Sequence, residues 1–169
     1  MQRMPDAINL PSTRFVIRVS VSIGITVLSG AAVGIWTSQD VDGWYATLQR
    51  PFFAPPNAVF GPVWTVLYVL MGLAAGRIWV LAPSVQARSR SMWLYATQIV
   101  LNLAWSVIFF KLHALGWALA EMALLLILIA ACARAFHRIS PLSGWLMAPY
   151  FAWVCFALAL NAAFAQLNT

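Results

Sequence analysis

Amide, indole and phenol side chains recur at helical spacing inside stretches of this sequence that are otherwise apolar. Gln98, Asn102, Trp105 and Phe109 follow one another at intervals of four, three and four, which puts them on one face of a helix. Trp64, Tyr68, Met71 and Ala75 form a second stripe of this kind, and Tyr150, Trp153, Ala157 and Asn161 a third. The chemistry open to such faces is recognition: rings stack on a flat apolar ligand while a few amides meet its polar atoms. A plainer reading uses the same residues to hydrogen-bond helix to helix, with no ligand. Glu121 lies in a fourth apolar stretch, about one turn after Trp117. A carboxylate there takes part in function, as a proton or polar relay, or reaches the interface from near the end of its span, or is protonated and bonded to a neighbouring helix. His113 and His137 have no second ligand at helical spacing, so no metal site is expected. Cys132 and Cys155 sit in apolar runs and read as packing residues.

The elements that carry these stripes follow from composition. The chain has 169 residues, 63% hydrophobic and 8% charged, and a mean hydropathy of +0.83. Soluble domains are roughly 45–50% apolar and about 25% charged, so a soluble enzyme and a disordered chain are both excluded. The net charge of +6 comes from single and paired basic residues with no long run, so nucleic acid is not an expected partner. The expected class is an all-α membrane protein. A spanning helix needs about 20 apolar residues, and five stretches qualify: 15–37, 58–81, 92–110, 114–136 and 144–166. One membrane domain over 1–169 is expected, with the first span retained rather than cleaved as a leader. Arg3, Arg14, Arg18, Arg77, Arg88, Arg90, Arg134 and Arg138 fall on one side of this arrangement, and Arg50 and Lys111 on the other. That bias predicts a cytoplasmic amino terminus, without choosing between an inner and an outer membrane. Gly30 with Gly34, and Gly72 with Gly76, have the spacing for close helix approach, within the chain or between two copies.

The connection at 38–57 is long and rich in proline and aromatics. It carries Trp44, Tyr45, Arg50, Pro51, Phe52, Phe53, Pro55 and Pro56, with Phe60, Pro62, Trp64 and Tyr68 following. The prolines hold the chain out of helix until about Ala58. Such a stiff loop either covers the open end of a bundle or lies among lipid headgroups.

These residues resemble the TspO/MBR family. The likeness rests on Trp44-Tyr45, Leu48, Arg50-Pro51, Phe53 and Pro55-Pro56, on the run from Phe60 to Tyr68, and on Gln98, Asn102, Trp105 and Phe109-Phe110. Gly116-Trp117-Ala118-Leu119 with Glu121, and Pro149-Tyr150, Trp153 and Leu160-Asn161, complete it, so that it covers about Trp44 to Asn161. The resemblance implies a five-transmembrane-helix bundle, commonly a homodimer, with a pocket under the first loop. It implies a tetrapyrrole ligand such as protoporphyrin IX, no required cofactor, and possible partners among benzodiazepine-site drugs. On this reading the ligand-binding set is Trp44, Tyr45, Phe53, Trp64, Tyr68, Gln98, Asn102, Trp105, Phe109, Tyr150, Trp153 and Asn161. Some bacterial members are described as degrading porphyrin in light, and the tryptophans tied to that activity match Trp64 and Trp153. The resemblance does not by itself make this chain an enzyme. The sequence departs from the family pattern at Phe53, where phenyl stands in place of indole and the N–H is lost. No Tyr, Lys or Arg follows Asn161, so the sterol pattern of animal members is absent there and a bacterial-type member is expected.

Overall fold

The computed structural model describes residues 13–168, so Arg3 and the amino terminus lie outside the described residues. The chain is helical throughout, with no strand among the described residues. Helix α1 spans Thr13–Asp42 and α2 spans Asn57–Leu81. Helix α3 spans Val85–Ser106 and passes into a π turn at Val107–Lys111. Helix α4 spans Leu115–Ile139, a short α5 covers Pro141–Trp145, and α6 covers Ala148–Asn168. Five segments are long and apolar enough to cross a bilayer, the last formed by α5 and α6 together. Their outward faces are apolar: Ile35, Val66, Val100 and Ile127 are all exposed on the isolated chain. That surface belongs in lipid, where every backbone group must be satisfied within the helix.

Local chemistry sets the helix ends. Gly43 follows α1, and the prolines at Pro51, Pro55 and Pro56 delay α2 until Asn57. The Ser84 hydroxyl accepts the backbone N–H of Ala87 at 3.1 Å, capping α3. Ser140 caps α5 through Ser143, with Pro141 at the first helical position.

Three of the five expected spans are corrected at their ends. α1 continues five residues past Thr37, so the first connection is 43–56 rather than 38–57. Helical hydrogen bonding runs on beyond the apolar stretch until Gly43. α3 starts at Val85, ahead of the expected 92, because Arg88, Ser89 and Arg90 extend the helix past the hydrocarbon. The last span begins at Pro141 and breaks between α5 and α6, which hydropathy did not signal.

α1 and α2 form the closest pair. A β-carbon at Gly72 would overlap the backbone at Ser22 and Ile23, and one at Gly76 would overlap Val19. The small-residue spacing therefore serves packing within the chain on α2. Gly30 instead makes room for the Tyr68 ring. α4 packs between α3 and α6, and Met71, Ile78, Leu125, Ile129, Met147 and Val154 fill the common core. A second apolar cluster, made by Tyr45, Phe109, Leu115, Leu160 and Phe164, closes the end beneath the first loop.

Candidate functional site

A cavity of about 510 Å³ opens between α1, α2, α6 and the end of α3. Pockets for small molecules commonly span about 300–1,000 Å³. α2 contributes Phe60, Trp64 and Tyr68; α3 and its π turn contribute Trp105, Phe109 and Phe110; α6 contributes Trp153, Ala157, Asn161 and Phe164. α1 supplies the fourth wall with Gly30, Gly34, Thr37 and Val41. The rings are arranged edge and face. Trp64 stacks on Tyr68 at 5.5 Å between centroids, Phe60 meets Trp153 edge-on at 6.0 Å, and Trp105 lies 5.2 Å from Phe109.

The π turn gives α3 its share of the wall. There the Leu112 N–H reaches back five residues to the Val107 carbonyl at 3.0 Å. The widened turn brings Phe110 to the cavity together with Trp105 and Phe109.

The first loop forms the roof. Tyr45 is buried against Phe109, Phe110 and Phe164 and borders the cavity. The Arg50 guanidinium lies 5.5 Å from the Tyr45 ring centre and donates to Asn57 and to the Pro55 carbonyl. Burial pushes the Tyr45 phenol above its ordinary pKa, while the charge of Arg50 opposes the shift. The Gln49 backbone N–H donates to Asn168 Oδ1 at 2.8 Å, and Asn168 Nδ2 donates back to the Gln49 carbonyl at 3.1 Å. Lys111 pairs with Asp40 at 2.5 Å, joining the π turn to the end of α1.

Of the residues expected to bind, Tyr45, Trp64, Tyr68, Trp105, Phe109, Trp153 and Asn161 border the cavity. Gln98, Asn102 and Tyr150 do not. Asn102 stands behind Tyr68, whose hydroxyl donates to its Oδ1 at 2.8 Å. Tyr150 stands behind Trp64, edge-on at 6.2 Å. The expectation that Asn102 and Tyr150 share one open space with Trp64, Trp105 and Trp153 is thus corrected, because Tyr68 and Trp64 lie in between. Gln98 is fully buried, and neither of its amide atoms has a partner among the described residues. Trp44 stacks on His113 at 4.0 Å, where His113 adopts a positive φ of 52°. Phe53 contacts Phe156 at the rim. Glu121 is half-buried, neither of its oxygens has a partner among the described residues, and α4 contributes nothing to the cavity wall.

Three polar atoms on cavity-lining side chains also lack a partner among the described residues: Trp105 Nε1, Trp153 Nε1 and Asn161 Oδ1. Buried polar atoms are nearly always paired, and these two donors and one acceptor, on α3 and α6, are enclosed within the walls rather than open to the cavity. Sequence reasoning missed the α1 wall and Phe164, and it named Phe60, Phe110 and Leu160 within the family-like motifs without placing them in the binding set. For α1 and Phe164 the only signals were the spacing of Gly30 and Gly34 and the position of Phe164 three residues after Asn161.

Comparison with known proteins adds to this geometry. The TspO/MBR family profile matches residues 22–167. The chain is 37% identical over 145 residues to the "Translocator protein" of Sus scrofa, covering 83% of this chain and 85% of that protein. It is 33% identical over 153 residues to the "Tryptophan-rich protein TspO" of Chlorobaculum tepidum, covering 90% and 97%. Identity to the "Tryptophan-rich sensory protein" of Cereibacter sphaeroides is 37% over 127 residues, covering 75% and 78%.

Proposed function

The chain belongs to the TspO/MBR family, and on that footing we propose that this integral multi-pass membrane protein is a receptor or carrier for a tetrapyrrole of the protoporphyrin IX type. The observation that carries the reading is the cavity wall: three indoles, two phenols and several phenyl rings enclose one space, and among the described residues Trp105 Nε1, Trp153 Nε1 and Asn161 Oδ1 have no partner. A flat conjugated ring gains from stacking and edge contacts on such walls. Its polar periphery gains from the unpaired donors and acceptor once a small side-chain rotation turns them out of the wall, since hydrocarbon cannot satisfy them. Tyr45 and the loop above it act as the lid. The relatives' names fit transport and sensing equally well, and both begin with binding.

Titration of the detergent-purified protein with protoporphyrin IX tests this directly. Saturable quenching of tryptophan fluorescence is expected, and Trp153→Phe should weaken it. Quenching that never saturates would overturn the reading.

One observation favours a second activity. Trp64 and Trp153 both border the cavity, so a bound porphyrin excited by light would meet two oxidisable indoles. Protein-dependent bleaching of the porphyrin band under illumination, lost in Trp64→Phe/Trp153→Phe, is the expected sign. Proton-coupled export through Glu121 has less support, since α4 supplies no part of the wall.

A further inference from the structure

A second concavity lies on the outer face of the bundle, at the end opposite the first loop. It is a groove of about 400 Å³ between the last turns of α4 and the α5–α6 junction. Its two ends differ in chemistry. Towards the middle of the bilayer the walls are Ala130, Ala148 and Phe151; at the outer end stand Arg134, His137 and Trp145. The antiparallel course of α4 and α6 creates this gradient, since α4 becomes basic as it leaves the hydrocarbon and α6 starts apolar as it enters.

The basic end is built rather than incidental. Gly144 packs directly on His137, where a β-carbon would overlap the His137 Cβ. Trp145 meets the imidazole edge-on at 6.3 Å, at the depth where indoles favour the membrane interface. Arg134 is exposed and makes no hydrogen bond or ion pair among the described residues. Its charge has no counterpart nearby among the described residues either. The described acids are Asp40 and Asp42, at the far end of α1, and Glu121, in the first turns of α4 at the loop end.

We propose that this groove is a site for one anionic phospholipid. Its phosphate meets Arg134 and His137, its glycerol region lies beside Trp145, and an acyl chain runs down the alanine-lined wall. A zwitterionic lipid fits the same apolar wall, but its ammonium group would neutralise the charge that favours the site.

Native mass spectrometry of the full chain tests the proposal. The protein is released from mild detergent containing phosphatidylglycerol or phosphatidylcholine with the same acyl chains. One phosphatidylglycerol should be retained at collision energies that strip phosphatidylcholine. Arg134→Gln should lower that retention by about fivefold, the weight of one basic side chain at an anionic surface. Ala130→Trp fills the groove without changing charge and should also lower it. Both positions are exposed, so the fold is kept. Arg90→Gln removes a charge at the same end of the bundle but outside the groove and should retain the lipid as well as wild type does. Equal retention of the two lipids would overturn the proposal. So would a loss in Arg90→Gln matching that in Arg134→Gln, or no loss in Ala130→Trp.

Discussion

A buried amide and a half-buried phenol set the position of the aromatic wall. The Tyr68 hydroxyl donates to Asn102, and the same ring fills the space left by Gly30 and stacks on Trp64. Tyr68→Phe keeps the ring but leaves Asn102 Oδ1 without its donor. The expected cost is about 1 kcal/mol, seen as a lower thermal midpoint in detergent, and the double variant with Asn102→Leu should cost less than the sum of the two single changes. The inward direction of Gln98, Asn102 and Asn161 was legible in the sequence, because an amide turned to lipid loses its partners. Which inward residues meet open space was not. Trp105 and Asn161 border the cavity while Gln98 and Tyr150 are packed behind it, and that division depends on where neighbouring helices stop filling the interior. The α1 wall was harder still to read, since Gly30 and Gly34 offer no side chain from which to infer a role.

At the scale of elements, hydropathy revealed the number and order of the spans but not their ends or irregularities. Ser38, Gln39, Arg88 and Arg90 look like connection by composition, yet they continue helices whose hydrogen bonds need no lipid. The π turn and the break before α6 leave no mark on hydrophobicity. The pairing of α1 with α2 was foreshadowed by glycine spacing, and it makes a sharp prediction. Gly72→Val places a β-carbon 2.5 Å from the Ile23 Cα and should destabilise by about 1–3 kcal/mol. Gly24→Ala, with nothing within 4 Å of the new carbon, should change stability by no more than about 0.5 kcal/mol. Thermal melts of the two variants in the same detergent compare them directly.

At the scale of the whole molecule, the bundle divides into a packed half and a hollow half. The packed half is built on α4, with Leu125, Ile129 and Cys132 fully enclosed; the hollow half is bounded by α1, whose lining mixes Gly30, Ala31 and Gly34 with Val27 and Val41. Filling the hollow should therefore leave the packed half intact. Gly34→Phe directs a ring into space where a β-carbon meets nothing within 4 Å. Its melting temperature should stay close to wild type, while protoporphyrin IX binding weakens by tenfold or more, equivalent to about 1.4 kcal/mol. A fluorescence titration alongside a melt separates the two effects. The paired hydrogen bonds between Gln49 and Asn168 give this division a mechanical meaning. They fasten the roof to α6, the same helix that carries Trp153 and Asn161 in the cavity wall. A spin label beside Gln49, outside the hydrocarbon, is therefore expected to change its spectrum when protoporphyrin IX is added, and an unchanged spectrum would show that roof and wall are uncoupled.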